Sequence, residues 1–416
     1  PGGRAALHRV VISVLAIAAC VATFSAVLAA TRTDIVEVPA ALERLLDPRT
    51  DGEKAIAFAQ GALAAAPGDP RLMAALASAY LARVRETYDP TLYTKASALL
   101  DRADALAPLD PDVATASGNL ALSRHDFAAA LRWGLVARTA APARPAAYGV
   151  LTDAYVELGR YAEAVDAAQR MVDLRPDLAS YSRVSYLREL HGDLDGAIDA
   201  MRRAVDAGAP RTEGAAWSEV QLGNLYLAKG DLASAERAYE DALQRVDGYV
   251  FALAGQAKVR AGHGDLAGAA ALDTQAAQRL PVPDFVIALA ELHERLGDAT
   301  RASQDAELVS AMEQLLKTNG VRTDVDLALF DADHGLRLPD ALATARAEYA
   351  IRPSVTVAMT LAWTEYKNGD LAAASAHAAE ALRLGWRDPA TVRRAATIAE
   401  AAGDVSLARR AAELSR

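Results

Sequence analysis

Four histidines, His125, His191, His263 and His334, recur along this chain beside short turns rich in Gly or Asp. Spaced histidines are the raw material of metal centres and proton relays. In a stack of repeats, however, alternate units lie about 20 Å apart, since neighbouring helices pack at roughly 10 Å. One ion with ligands at about 2 Å cannot be shared across that distance, so the four read as polar loop residues. The run "GHGDLAG", Gly262 to Gly268, resembles a phosphate-cradling loop, but its spacing is wrong and it joins two helical segments, where such a loop follows a strand. His293 in "LHERLG" has no second histidine a helical turn away. Walker A, His-Glu-x-x-His and Gly-x-Ser-x-Gly patterns are all absent from the sequence. The chemistry-bearing residues therefore point to a non-enzyme without cofactor or metal.

The elements that carry these residues follow from composition. Of 416 residues, 52% are hydrophobic, 24% charged and only 6% aromatic. Alanine supplies much of the apolar share, which suits close helix packing better than sheets of β-branched and aromatic residues. A net charge of -10, with no dense basic run, argues against a nucleic-acid partner.

One phrase recurs almost verbatim: "HGDLDGAIDAMRRAV" from His191, "KGDLASAERAYEDAL" from Lys229, "HGDLAGAAALDTQAA" from His263 and "NGDLAAASAHAAEAL" from Asn368. Its glycines, Gly159, Gly192, Gly230, Gly264, Gly297, Gly369 and Gly403, are spaced by 33, 38, 34, 33, 72 and 34 residues, a helical-array period with one degraded copy. Within the unit from Pro145, Tyr148, Leu151 and Tyr155 share one helix face, and Tyr161, Ala164, Ala168 and Met171 share another. Two short helices per unit follow. Gly closes the first in a left-handed conformation, Asp accepts from the free N–H groups that open the second, and Leu packs into the turn.

These units resemble tetratricopeptide repeats. "QLGNLYLAKGDLASAERAYEDAL" supplies Leu222, Gly223, Tyr226, Gly230, Ala235, Tyr239 and Ala242 of that family's pattern, and Pro142, Pro176, Pro281 and Pro353 close other units. The resemblance implies an all-α, right-handed α-solenoid of about eleven helix-turn-helix repeats: 36–69, 70–110, 111–144, 145–177, 178–215, 216–249, 250–282, 283–321, 322–354, 355–388 and a truncated 389–416. Units two, five, eight and nine depart from the pattern through "VRETYDPT", "GAPRT", "SAMEQLLKTNG" and "ADHGLRLPDALATA".

The first helix of each such repeat tends to line a concave groove. By this register the groove carries Tyr186, Trp217, Asn224, Phe251 and Lys258 in the middle units, and Phe330, Met359, Trp363 and Tyr366 towards the C-terminus. Scarce aromatics off the core positions suit partner anchors, although the same residues also suit padding between units. Asn119 and Asn224 occupy a position used by carboxylate-clamping relatives, but the accompanying Lys and Arg are absent.

Ahead of the repeats, residues 1–35 contain "VVISVLAIAACVATFSAVLAA", Val10 to Ala30, free of charge and preceded by Arg4 and Arg9. Such a run is long enough to span a bilayer. It reads as a cleaved signal peptide, a retained membrane anchor or a lipoprotein signal ending at Cys20, the only cysteine. All three predict repeats exported to the outer side of the cytoplasmic membrane, periplasmic or exterior. The expected function is a protein-interaction scaffold binding a partner segment in the groove. The alternative is an anchored accessory subunit of a membrane or envelope assembly, such as an export or maturation machinery, docking through convex or edge surfaces, and a third reading is an enzyme with an unrecognised site built from scattered groove residues.

Overall fold

The structure, a computed structural model, describes residues 51–322 and 324–415. The apolar run at residues 10–30 and the first helix expected within 36–69 lie outside the described residues. No helix among the described residues is long and apolar enough to cross a membrane.

The described chain is built of helices joined by short turns. Helix α1 (Asp51–Ala65) is followed by ten hairpins. These pair α2 (Pro70–Thr87) with α3 (Thr91–Leu106), α4 (Pro111–Ser123) with α5 (Phe127–Ala140), and α6 (Pro145–Glu157) with α7 (Tyr161–Leu174). Next come α8 (Leu178–Leu190) with α9 (Leu194–Ala207), α10 (Glu213–Ala228) with α11 (Leu232–Arg245), and α12 (Val250–Gly262) with α13 (Leu266–Arg279). The last four pair α14 (Pro283–Arg295) with α15 (Ala299–Thr318), α16 (Asp324–Asp333) with α17 (Leu338–Ile351), α18 (Val355–Lys367) with α19 (Leu371–Ala381), and α20 (Pro389–Ala402) with α21 (Val405–Leu414). The chain is thus an all-α solenoid.

The repeated phrase works as its chemistry predicts. Asp193, Asp231, Asp265, Asp298 and Asp370 each accept an N–H bond from the residue three positions on, at 2.8 to 3.2 Å. The preceding glycines all have positive φ. Variants of the joint show what the backbone demands. His125 takes φ 58° where the phrase would have glycine, and Arg160 replaces the aspartate and gives no side-chain cap. In the hairpin 324–351, where the phrase is degraded, Gly335 and Arg337 both have positive φ and the first helix is only 10 residues long. The extra residues near 310 lengthen α15 to 20 residues.

The curvature has a direction. First helices of successive hairpins touch one another directly, as α2 does α4, α4 does α6 and α6 does α8, while second helices do so comparably only at α19 and α21. Elements on the inside of a bend crowd together and those outside fan apart, so the first helices form the inner wall.

The bend also closes on itself. Side chains at the joint of one hairpin meet the entrance of the hairpin six places further on, four times in succession. Tyr88, after α2, packs against the cluster of Leu253, Leu280, Val282 and Phe285 at the entrance of α14. The backbone N–H of Arg322 donates to the Arg124 carbonyl at 3.0 Å, and His125 Nδ1 donates to the Arg322 carbonyl at 2.8 Å. Arg352 Nη1 reaches Glu157 at 3.1 Å, and the Val355 N–H donates to Tyr161 Oη at 2.8 Å. Trp386 Nε1 faces Glu189 at 3.5 Å. These side-chain pairs are 194 to 197 residues apart in sequence.

Candidate partner-binding site

The inner wall holds the groove residues that the register picks out, but it treats them differently. Tyr186 and Trp217 keep 37% and 38% of their surface accessible, and Lys258 is exposed. Phe251 is half-buried against Tyr249 and Phe285, at ring separations of 5.4 and 5.5 Å. Asn224 accepts from the hydroxyl of the fully buried Tyr239 at 2.9 Å, so it props the core from the wall side. Phe330 and Met359 are 2% and 3% exposed and belong to the core. The short helix α16 turns Phe330 onto Val286 and Val309, and Met359 packs against the last two hairpins while also lining the cleft between the turns.

Trp363 and Tyr366 stack on each other with centroids 4.9 Å apart. The Trp363 indole N–H donates to Asp333 at 2.7 Å, while Lys367 and Arg394 sit over its ring at 5.2 and 5.7 Å. The polar edge of Trp363 and the stacked faces of both rings are thus used inside the molecule, at the junction between hairpins. Of the nine residues, Tyr186, Trp217 and Lys258 are exposed, Asn224, Phe251, Trp363 and Tyr366 are half-buried and engaged with neighbours, and Phe330 and Met359 are buried.

The electrostatics of the wall were not visible from the register. Tyr186 is accessible, yet its hydroxyl is pushed far above its usual range by burial first, then by the charges of Glu157 and Glu189. Asp284 and Glu291 are exposed, yet burial, with Asp326 acting on the first and Asp333 on the second, raises both carboxyls. Glu189 is driven up to about 7, chiefly by burial. Glu157 rises as well: its partner Arg352 pulls the other way, but burial and the carboxylates of Asp153 and Asp326 prevail. A group reached by water but surrounded by protein is what a concave surface presents. The wall carries more carboxylates than it has cations to match.

Where the turns meet, a cleft of about 360 Å³ opens between His125, Phe127 and Glu157 on one turn and Asp326, Thr356 and Trp386 on the next. Sequence reasoning missed this cleft and the residues that build it. Trp386 and Arg352 lie at hairpin entrances, outside the groove register, whereas Asp326 stands four residues before Phe330, at the register position that Met359 holds before Trp363, and was passed over because no carboxylate was picked out along the groove.

The joint histidines behave as polar turn residues. His191 and His334 bond carbonyls of their own turns at 2.7 and 3.0 Å. His293 finds its partner across the hairpin, in Asp305 at 2.7 Å. Among the described residues no group of three His, Cys, Asp or Glu is placed to hold a metal ion.

The family model described as Tetratricopeptide repeat matches residues 220–245. No curated protein matches the sequence. Among solved structures the chain is similar to a human IFIT1 dimer with PPP-AAAA, at 14% identity and a TM-score of 0.50, covering 76% of this chain and 72% of that one. It is also similar to PilW, described as a type IV pilus biogenesis factor, at 16% identity and a TM-score of 0.41, with coverage of 48% and 92%. A thermophilic TPR protein of Thermus thermophilus aligns at 20% identity and a TM-score of 0.38, with coverage of 45% and 97%. Likeness at such identity speaks to fold alone. The match identifies residues 220–245 as a tetratricopeptide repeat, and the ten hairpins with their glycine–aspartate joints repeat that unit's architecture along the described residues, supporting a tetratricopeptide-repeat protein.

Proposed function

We propose that the chain is a non-catalytic interaction scaffold that holds a segment of a partner protein along its inner wall. The observation that carries this reading is the exposure of Tyr186, Trp217 and Lys258 on the inner wall that the first helices form, where the surrounding protein also raises the carboxyls of Asp284 and Glu291. Polar contacts made there act in a lowered dielectric and are stronger than on a flat surface, while Trp217 and Phe251 offer aromatic area nearby. The PPP-AAAA ligand of human IFIT1 is not carried over. Here Asp153, Glu157, Glu189, Asp284, Glu291 and Asp326 would repel a phosphate backbone, and the wall cations Arg183 and Arg352 are already paired with Asp153 and Glu157 at 2.6 and 3.1 Å.

The proposal also places the repeats on the outer side of the cytoplasmic membrane, on the strength of the charge-free run Val10 to Ala30. The mass of the mature protein tests how that run is used: loss of about 30 residues means a cleaved signal, and retention of Arg4 excludes one.

One observation favours the alternative of an accessory subunit docking through its outer face. Leu308 and Leu315, two turns apart on α15, are 48% and 54% exposed. A photo-reactive amino acid placed in native cells at Tyr186, at Leu308 and at the exposed outer residue Val165 compares the readings. Adducts specific to Tyr186 are expected. Adducts at Leu308 alone favour outer-face docking, and equal labelling at all three positions removes the groove reading.

A further inference from the structure

We propose that the cleft between the two turns is a subsite for an arginine side chain of the partner segment, a step that rests on the scaffold reading above. Its size, about 360 Å³, lies in the small-ligand range of about 300–1,000 Å³. Its own cations are already matched. Arg352 bonds Glu157 at 3.1 Å and Glu348 at 2.9 Å, and Arg394 bonds Asp333 at 2.7 Å. Asp388 caps the helix that follows it by accepting the Thr391 N–H at 2.7 Å.

Asp326 is different. Among the described residues it makes no ion pair or hydrogen bond, and its charge is felt at Tyr88, Glu157 and Asp284, on three other hairpins. The aromatic lining is similarly incomplete. Arg352 lies over Phe127 at 4.9 Å and Arg394 over Trp363 at 5.7 Å, so this part of the molecule twice shows how it holds a guanidinium. Trp386 also lines the cleft, and among the described residues no cation stands over its ring.

A carboxylate without an ion pair and an indole with no cation over its ring are the two groups that recognise a guanidinium; Trp386 is half-buried against the core cluster that includes Leu187, Leu190 and Val355, and meets the cleft from there. An anionic guest would meet Asp326 and Glu157 unfavourably. An apolar guest would strip water from Asp326 and supply no partner. The cleft takes one wall from each turn, so the subsite exists only while the turns are in contact.

The test uses the full chain labelled with 5-fluorotryptophan, whose four tryptophans give four resonances assigned by single Trp→Phe changes. The probe is Nα-acetyl-argininamide, and its uncharged counterpart is Nα-acetyl-citrullinamide. The expected result is a saturable shift of the Trp386 resonance with the arginine probe, with Trp133 and Trp217 unmoved and no shift with citrulline. Asp326→Asn, at an exposed position, is expected to weaken binding about ten-fold, the scale of one charge-assisted hydrogen bond, with an unchanged melting profile. A Trp386 resonance that stays still, equal response to both probes, or full affinity in Asp326→Asn each overturns the subsite. If that happens while Tyr186 cross-links persist, the scaffold reading stands without it. If Tyr186 cross-links vanish while the arginine titration succeeds, the cation site stands and the partner-segment reading falls.

Discussion

Gly192 and Gly230 close the same kind of turn, in "HGDL" and "KGDL", with φ of 76° and 78°. Their surroundings have nothing in common. A Cβ on Gly192 would stand 2.5 Å from the Gly385 carbonyl oxygen, and one on Gly159 would stand 2.6 Å from that of Pro353. A Cβ on Gly230, Gly264, Gly297, Gly369 or Gly403 would meet nothing within 4 Å. One phrase therefore serves two purposes. At every joint it permits a left-handed residue, and at two joints it also lets backbone from the next turn come close. The lesson is that a repeat can be locally uniform while its copies carry different energetic weight.

Substitution at the two kinds of joint gives the largest expected contrast. Gly192→Ala combines left-handed strain with a backbone overlap that no rotamer change relieves, and should cost about 3 kcal/mol. Gly230→Ala should cost only the strain, about 1 kcal/mol. Because an array of repeats need not unfold in one step, amide exchange is the suitable readout. Faster exchange at Arg322 and Val355, whose N–H groups bond across the turns, is expected for Gly192→Ala alone. Equal effects of the two variants would break the comparison.

Ion pairs sharpen it further. Arg352, 11% exposed, joins Glu157 and Glu348 and covers Phe127, and Arg352→Met should cost about 2 kcal/mol by leaving the half-buried Glu157 unmatched, since Glu348 keeps Arg322. Lys229 pairs with Asp195 at 2.5 Å, but both are well exposed, and Lys229→Met should leave the urea midpoint where the wild type has it. Urea titration of both variants beside the wild type measures the difference.

The smallest contrast concerns pH. Burial raises Glu189, at the meeting of the turns, from 4.5 to about 7, and Asp273, in α13 away from it, from 3.8 to about 7. A carboxyl with a raised native pKa keeps its proton in the folded state after the unfolded chain has lost it. Stability from such a group is fully present below about pH 4 and declines as pH rises through 7. Glu189→Gln should remove about 1 kcal/mol of that decline and flatten the pH dependence of Val355 exchange. Asp273→Asn should stabilise its own hairpin at neutral pH and leave Val355 exchange as it was. If Val355 responds to both, the two regions are coupled more widely than their contacts indicate.

Much of the fold was legible because it depends on neighbours in sequence. The Gly-Asp joints, the apolar faces around Tyr155 and Tyr161, and the near-34-residue period all involve residues within one or two turns of each other. The candidate site was legible only in part. Helical register picked out Tyr186, Trp217 and Lys258, which are accessible, but it ranked Phe330 and Met359 alongside them, because register cannot tell a wall residue from one that a neighbouring hairpin covers. His125 was marked as a joint residue, though nothing adjacent in sequence revealed that its ring would reach Arg322.

By itself the sequence determined the hairpins, their joints and the stacking of one on the next, since caps, turn conformations and apolar periodicity act over a few residues. Tertiary structure decided that each joint from Tyr88 to Gly192 meets the entrance six hairpins further on. It thereby decided which glycines are crowded, where the carboxylates gather, and that a cleft lined by Asp326 and Trp386 exists. The physical reason is that small rotations between units add up along the array. Whether the sixth step brings two turns into contact depends on that sum, and no single repeat records it.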